Sequence, residues 1–368
     1  MKKAVLVLTA ALFCAFPAFA DAITVTDLAG RQVEVQSPAK RIVLTFYFEE
    51  YFAVTGREGI QNIAGWAAQY WRGRRQSTWD AFAKVFPDIG KIPDVGYIPK
   101  KTLNLEAIMA LKPDVVVMSL NDSASSGEDI RRLSDAGIPV VIVDYHAQSL
   151  ENHTASTLLL GRITGCEKRA QELADWYRSK VEPVYAKAAK AEKRPKVYME
   201  FSGDKAGPAV YGGTWGKLMW GGIIANCGGD NIARGLVQGS DGPVSREQIL
   251  VSNPDVILFA GNYRGPDAKN VGLGYEADEK TAREQLEGYM ARPGWSGLNA
   301  VKNRRMGALY HDLSRHIFDA AGIQFIAKMI HPELFSDLDP LGTLKEFYSR
   351  FFPVPLTGCF MVSLDAAK

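Results

Sequence analysis

The same helix-to-strand pattern occurs twice in this chain, once in each half. Residues 104–117 read NLEAIMALKPDVVV and residues 245–258 read SREQILVSNPDVIL, so each copy places Pro-Asp directly before an unbroken apolar run. Proline disfavours helix at the residue before it, and a β-branched run without alternation is typical of a parallel strand covered by helices on both faces. The repeat therefore predicts two equivalent α/β halves.

Further strands and helices are predicted to alternate within both halves. Buried strands are indicated by apolar runs at residues 41–45, 138–143, 196–201 and 255–260. Between the halves, residues 166–190 contain no glycine, and four large apolar residues recur there at helical spacing: Leu173, Trp176, Tyr177 and Val181. This spacing predicts one long amphipathic helix, which Pro183 should bend or divide. We expect an N-terminal α/β lobe (residues 21–165), an inter-lobe helix (166–192) and a C-terminal α/β lobe (193–368).

The first twenty residues have the pattern of a secretory signal peptide. Lys2 and Lys3 precede an apolar run over residues 4–16, and Ala18-Phe19-Ala20 predicts cleavage after Ala20. The alternative is a buried N-terminal helix. Cys14 follows Leu12-Phe13, whereas a lipid-attachment cysteine needs a small residue before it, which favours a soluble exported protein over a lipoprotein.

Charge excludes one class of partner. The formal net charge is +2, and without Lys2 and Lys3 the 43 basic side chains become 41, equal to the 41 acidic ones. A neutral chain lacks the basic surface that nucleic-acid binding requires. We therefore expect no nucleic-acid partner.

Catalytic motifs are absent from the sequence. No G-x-S-x-G, no G-x-G-x-x-G after a strand and no H-E-x-x-H occurs. Residues 211–217 (YGGTWGK) depart from a phosphate loop at their first position and are followed by Leu218 instead of Ser or Thr. A secreted metal-dependent enzyme using His311 and His316 is the alternative. Those two histidines lie five positions apart without a third nearby, whereas a catalytic zinc takes three protein ligands.

The repeated phrases and four others identify a family resemblance. Those four are VTDLAGRQVEV at residues 25–35, CGGDNIA at 227–233, WSGLNAV at 295–301 and HPELF at 331–335. The ordered set resembles the periplasmic solute-binding proteins of ABC importers, above all the group for ferric siderophores, haem and cobalamin, over residues 23–351. The resemblance implies two Rossmann-like α/β lobes joined by one long helix, with the ligand cleft between them. It also implies a monomeric periplasmic protein without enzymatic activity or a cofactor of its own, and a transient partner in an inner-membrane ABC permease.

Loops after the predicted strands supply candidate ligand contacts, because ligands of open α/β sheets bind at the carboxyl ends of strands. The N-terminal half offers Tyr47, Tyr70, Trp71, Arg72, Arg74, Arg75, Tyr97 and His146. The C-terminal half offers Tyr211, Trp215, Tyr263, Arg264, His311, Arg315 and His316. Arginine forks and aromatic faces suit anionic chelates, although residues 70–75 would also suit a solvated basic helix face. Tyr97 belongs to a loop that lines the cleft in the resembled group.

The predicted ligand is a ferric siderophore. Histidine is a common metal ligand, so His311 and His316 are candidate ligands of the chelate-bound metal, and Arg315 would balance ligand carboxylates. Haem, a corrinoid and a nickel or other metal complex are the alternatives within the same class of binding protein.

The resemblance also implies roles for two acidic residues and two cysteines. Glu106 and Glu247 occupy matching positions of the repeat, and in the resembled group such residues meet arginines of the permease. The alternative is that each only complements its helix dipole. A Cys227–Cys359 disulfide is expected by the same resemblance, against a Cys166–Cys359 bridge or three reduced thiols.

Overall fold

The N-terminal lobe is built on a four-stranded sheet whose strands are all parallel, in the order β4-β3-β5-β6. The computed structural model describes residues 21–364, so the predicted signal peptide at 1–20 lies outside the described residues. An antiparallel hairpin, β1 (Asp21–Thr26) and β2 (Gln32–Ser37), precedes the sheet. The sheet strands are β3 (Ile42–Leu44), β4 (Ile63–Trp66), β5 (Val115–Ser119) and β6 (Val140–Val143). The helices of this lobe are α1 (Phe48–Thr55), α2 (Ala68–Arg74), α3 (Gln76–Val85), α4 (Leu105–Leu111), α5 (Leu120–Ser123) and α6 (Gly127–Asp135).

Two long helices lead out of this lobe, α7 (Leu150–Thr164) and α8 (Glu167–Ala188). The 22 residues of α8 span about 33 Å, and the helix continues through Pro183 without being divided. The four residues predicted to form its apolar face, Leu173, Trp176, Tyr177 and Val181, are all buried.

The C-terminal lobe contains a five-stranded sheet in the order β11-β10-β9-β7-β8, in which only the β10–β11 pair is antiparallel. Its strands are β7 (Lys196–Ser202), β8 (Asp230–Asn231), β9 (Val256–Gly261), β10 (Met306–Tyr310) and β11 (Met361–Ser363). Its helices are α9 (Trp220–Asn226), α10 (Arg246–Ser252), α11 (Glu279–Gly288), α12 (Asn299–Lys302), α13 (Ala320–Ile330) and α14 (Pro340–Phe351). The mixed α/β class with two lobes and parallel sheets is the predicted one. Five strands were not predicted: β1, β2, β4, β8 and β11.

The internal repeat is reproduced in three dimensions. Asn104 caps α4 by accepting from the Ala107 amide at 2.9 Å, and Ser245 caps α10 by accepting from the Gln248 amide at 3.1 Å. Each helix ends at a left-handed residue, at Lys112 with φ 46° and at Asn253 with φ 45°. Buried strands β5 and β9 follow, so Glu106 and Glu247 stand in equivalent first turns.

The C-terminal helix joins the lobes in a way the sequence did not predict. Trp176 of α8 packs against Phe347 of α14 with ring centroids 5.5 Å apart. Phe352, just after α14, meets Phe82 of α3 at the same separation of 5.5 Å. The C-terminal segment therefore contacts the N-terminal lobe directly, and the two lobes share one continuous apolar core. Among residues 21–364, no helix combines the length and apolarity needed to cross a bilayer.

The predicted Cys227–Cys359 disulfide is not formed, since both residues are free thiols. Cys227 precedes β8 at one edge of the five-stranded sheet, and Cys359 precedes β11 at the opposite edge. Strands lie about 4.8 Å apart, so the sheet width far exceeds the roughly 7 Å between Cα atoms that a disulfide can bridge.

Candidate ligand-binding site

A cavity of about 220 Å³ lies between the lobes, at the carboxyl ends of β7, β9 and β10. Its wall on the N-terminal side comprises Tyr70, Arg74, Arg75 and Tyr97. Its wall on the C-terminal side comprises Phe201, Gly213, Trp215, Met219, Asp241, Asn262, Arg264, His311, Asp312 and Arg315. Four arginines against two aspartates give the wall a positive excess, which favours an anionic occupant.

Two of the lining arginines have no carboxylate partner among residues 21–364. Arg74 is exposed at the end of α2, and Arg264 follows β9. The only hydrogen bond between them is a long one of 3.4 Å, from Arg264 Nη1 to the backbone oxygen of Arg74, and Arg264 Nε is buried without a partner. Their positive charge is therefore available to a ligand.

Arg75 behaves differently from its neighbour Arg74. Its Nε lies 2.6 Å from Asp312 Oδ2, and its Nη2 contacts Glu49. Burial opposes the charge of Arg75, but Asp312 and Glu49 beside it hold the pKa of this guanidinium well above its ordinary value. Arg75 thus forms a buried ion pair between the lobes at the base of the cavity.

Arg315 is paired with a carboxylate, as Arg75 is, and leaves a guanidinium nitrogen unpaired among residues 21–364, as Arg264 does. Its Nη2 donates to Tyr70 Oη at 3.0 Å and lies 3.3 Å from Asp312 Oδ1, whereas its Nε has no partner. The backbone of Arg315 is left-handed with φ 57°. Holding a residue other than glycine there costs on the order of 1 kcal/mol, and such strain is concentrated at functional sites.

Aromatic rings form the other part of the cavity wall. Tyr97 and Tyr70 lie with ring centroids 4.8 Å apart on the N-terminal side. On the opposite side the His311 ring stacks on Trp215 at 5.6 Å and contacts Phe201 at 4.8 Å. Burial lowers the pKa of His311 to about 3, so this imidazole is neutral at physiological pH.

Eight of the fifteen candidate ligand contacts line the cavity. They are Tyr70, Arg74, Arg75, Tyr97, Trp215, Arg264, His311 and Arg315. They come from both halves of the chain, as the strand-end argument predicted.

Three of the seven others, Tyr47, Trp71 and His146, do not line the cavity. Tyr47 is buried and hydrogen-bonds His146, which is half-buried, so each of these polar groups has a partner within the N-terminal lobe. Trp71 lies beneath Arg75, whose guanidinium carbon is 3.9 Å from the ring centroid.

The remaining four lie outside the wall in separate environments. Arg72 stacks on Trp79 at 4.4 Å, and Tyr211 lies 4.1 Å from the guanidinium of Arg292. Tyr263 lines a neighbouring groove, and His316 is fully buried beneath the cavity.

Sequence reasoning missed six residues of the wall, among them Gly213, which belongs to the glycine pair of the 211–217 segment. Asn262 and Asp312 belong to the strand-end loops that supplied other candidates, so the same argument applied to every polar residue would have found them. Phe201 ends a predicted strand, but its side chain carries no chemical signal. Met219 and Asp241 come from segments without a motif, and only the tertiary fold places them at the cavity.

Within residues 21–364 one group of side chains has the composition and spacing of a metal site. Ligand atoms of Glu49, Glu50 and His316 lie within 4.8 Å of one another. Glu49 already pairs with Arg75, and Glu50 Oε1 lies 2.6 Å from His316 Nδ1 and accepts from the Ile317 amide at 3.2 Å. Burial raises the pKa of Glu50 to about 8 and lowers that of His316 to about 3, so the pair holds one proton at neutral pH. This group joins the lobes and is not part of the cavity wall.

Comparisons with known proteins agree with this architecture. A family model described as periplasmic binding protein matches residues 67–311. The crystal structure of a TroA-like periplasmic binding protein, FepB from Veillonella parvula, is 33% identical with a TM-score of 0.87, covering 93% of this chain and 100% of that one. An uncharacterized ABC transporter substrate-binding lipoprotein of Bacillus subtilis, YvrC, is 29% identical over 86% of this chain and 87% of its own. The molybdate-binding protein MolA of Haemophilus influenzae is 22% identical, over 92% of each chain.

Proposed function

Because this chain belongs to the periplasmic binding protein family and is the substrate-binding protein of an ABC transporter rather than an enzyme, we propose that it captures an anionic metal chelate. A ferric siderophore is the first candidate, and haem, a corrinoid or a nickel complex are further ones. The ligand would then pass to an ABC permease of the inner membrane. The observation that carries the proposal is the pair of lining arginines, Arg74 and Arg264, that have no carboxylate partner in the described part of the chain.

A bare oxyanion is a second candidate substrate. The relative MolA is named for molybdate binding, and an excess of guanidinium groups in a cavity of about 220 Å³ suits a compact oxyanion as well as a larger chelate. The aromatic wall of Tyr70, Tyr97 and Trp215 favours the chelate, because a tetrahedral oxyanion offers no apolar surface to cover it.

The direct test is titration of purified protein, free of bound ligand, with a defined panel. The panel comprises ferric catecholate, ferric hydroxamate, haem, cobalamin, a nickel–histidine complex and molybdate. Binding of each compound is followed by tryptophan fluorescence and calorimetry. We expect saturable binding of at least one anionic member at one site per chain. Arg264→Gln should weaken it about tenfold or more, the scale of a hydrogen bond to a charged group.

Arg131→Gln is the matched control, because Arg131 is exposed on α6 and pairs only with Glu128. Its affinity should equal that of the unmodified protein. The proposal fails if no panel member binds, or if Arg264→Gln and Arg131→Gln bind equally well.

We further propose that Glu106 and Glu247 contact the permease, one from each lobe. Both are exposed, and neither forms an ion pair with any residue of 21–364. Ion pairs at an exposed rim act mainly on encounter and orientation, so Glu106→Arg with Glu247→Arg should abolish uptake while ligand affinity and Tm stay unchanged. Uptake at the original rate, or a loss of ligand affinity, would contradict this role.

Residues 1–20 are proposed to be removed on export to the periplasm, with cleavage after Ala20. The relative YvrC is named as a lipoprotein, so the alternative is lipid attachment at Cys14. Intact-mass measurement of the exported protein distinguishes a chain beginning at Asp21 from one that begins at a lipidated Cys14.

A further inference from the structure

Trp220 forms a hydrogen bond with one of the two ring nitrogens of His311. Its indole Nε1 donates to His311 Nδ1 at 3.4 Å, and the Trp220 side chain is fully buried at the start of α9. An indole nitrogen is a donor only, so the nitrogen that faces it has to present a lone pair. A proton on Nδ1 would place two N–H groups against each other. In a neutral imidazole the proton then belongs on Nε2.

The other edge of the same ring belongs to the cavity wall. His311 lines the cavity, and its ring stacks on Trp215 and also contacts Phe201. No residue among 21–364 forms a hydrogen bond with His311 Nε2, and that atom is not among the buried atoms that lack a partner. The Nε2–H group is therefore free to meet a ligand.

We infer that Trp220 fixes His311 as the Nε2–H tautomer, so that the cavity presents a hydrogen-bond donor to an anionic oxygen and no imidazole lone pair to a metal. This inference rests on the proposed function, because it takes the occupant to be the anionic substrate. A histidine that ligates a metal through Nε2 has to carry its proton on Nδ1 and donate it to a neighbouring acceptor. The neighbour here is a donor, so ligation would cost the hydrogen bond from Trp220 and create a clash of two protons.

The consequence concerns substrate class. The substrate meets this wall through oxygens, as a chelate whose metal is already fully coordinated or as a metal oxyanion does. A metal ion with open positions would find no ligand in His311. The sequence-based expectation that His311 ligates the chelate-bound metal is replaced by a hydrogen bond.

Nitrogen-15 NMR of the ligand-free protein tests the tautomer without any substrate. The histidines are labelled, and His311→Gln identifies the resonances of His311. We expect a protonated Nε2 and an unprotonated Nδ1. Trp220→Phe keeps an aromatic side chain but lacks the indole N–H, and should turn this fixed state into a mixture of tautomers. Trp215→Phe is the matched control, since Trp215 contacts the same imidazole without donating to it, and should leave the tautomer unchanged. A protonated Nδ1 in the unmodified protein would overturn the inference.

Binding measurements test the donor role with three probes: molybdate, ferric tris-catecholate and Ni²⁺ alone. His311→Gln retains an N–H donor near the position of Nε2, so we expect affinity for the anionic probe that binds to change less than about threefold. His311→Leu retains the bulk of the side chain but has no hydrogen-bond donor, so its affinity for that probe should fall about 10- to 100-fold. Ni²⁺ alone should not bind through His311.

Several outcomes would contradict the donor role. The first is an equal loss of affinity for the anionic probe in His311→Gln and His311→Leu. The second is a shift of the ferric absorption band in either variant, and the third is Ni²⁺ binding that His311→Gln abolishes. Failure of both anionic probes and of the wider panel would refute the proposed function instead, whereas the NMR measurement would still decide the tautomer.

Discussion

Arg74 and Arg75 are adjacent in the chain but lie in two contrasting regions of the lobe interface. Arg74 is exposed and has no carboxylate partner within residues 21–364, whereas Arg75 is buried at the base of the cavity and pairs with Glu49 and Asp312. The side chains of the Arg75–Asp312 pair are 2% and 0% exposed. Paired and buried charge joins the lobes, whereas the charge of Arg74 is available to a ligand. The two regions should therefore respond differently to the same substitution.

The largest difference is expected in stability. Arg75→Ala leaves the buried carboxylates of Glu49 and Asp312 without their cation, which should cost about 3–5 kcal/mol of unfolding free energy. Arg74→Ala removes an exposed side chain and should change it by less than about 0.5 kcal/mol. Denaturant unfolding of the two variants measures both values. Equal losses of unfolding free energy in the two variants would mean that the base of the cavity is not a distinct structural region.

Arg315 lies between the two regions and should show both effects. Its guanidinium lines the cavity with an unpartnered Nε, yet it also bonds Tyr70 across the interface. We expect Arg315→Ala to weaken binding of an anionic ligand by about 1.5–3 kcal/mol, the scale of a hydrogen bond to a charged group. Calorimetry with the best ligand of the panel measures this loss. An unchanged affinity would confine the binding charge to Arg74 and Arg264.

This contrast also marks the limit of what the sequence could predict. The repeat at residues 104–117 and 245–258 predicted the order of α4, β5, α10 and β9, because helix periodicity, Pro-Asp and buried runs are local signals. Strand-end loops predicted the neighbourhood of the cavity for the same reason. Which arginine of the 72–75 run is held in a buried ion pair depends on Glu49 and Asp312, one of them far away in the chain. No local pattern contains that information.

Tertiary packing overrode local patterns elsewhere as well. His316 follows β10 in the same loop as His311, but the loop turns inward and places His316 against Glu50. Tyr211 follows β7, yet it packs against Arg292, whose charge is taken up by Glu200. In both cases a residue with binding chemistry satisfies a partner inside the protein instead.

A smaller effect on stability is expected from pH, and it arises from Glu50 near the base of the cavity. Burial raises the pKa of Glu50 to about 8, so the folded protein keeps a proton that the unfolded chain has released well below pH 7. The stability that Glu50 contributes is present at low pH and is lost as pH rises through its pKa in the folded protein. Between pH 7 and 8 the unfolding free energy should therefore fall by an amount of order 1 kcal/mol per pH unit.

Glu50→Gln should flatten that slope, which unfolding free energies measured at several pH values will show. His316 acts in the opposite direction, since burial lowers its pKa to about 3 and its stabilising contribution grows as pH rises to about 6.5. The comparison is therefore made above pH 7, where that contribution is complete. An identical slope in the variant and the unmodified protein would contradict a neutral Glu50 in the folded state.

The smallest expected effect is the movement of the lobes on ligand binding. Besides α8, the lobes are joined by the Arg75–Asp312 pair, the Glu50–His316 pair and a 2.6 Å hydrogen bond between Thr78 and Tyr310. A continuous helix resists bending because each turn keeps its hydrogen bonds. Parting the lobes would leave the Arg75–Asp312 charges unpaired and would break the hydrogen bond of the neutral Glu50–His316 pair. Solution scattering with and without ligand should therefore show only a few degrees of closure. A swing of roughly 30°, the scale of hinge-type domain closure, would mean that these pairs separate in the free protein and that the base of the cavity opens with its rim.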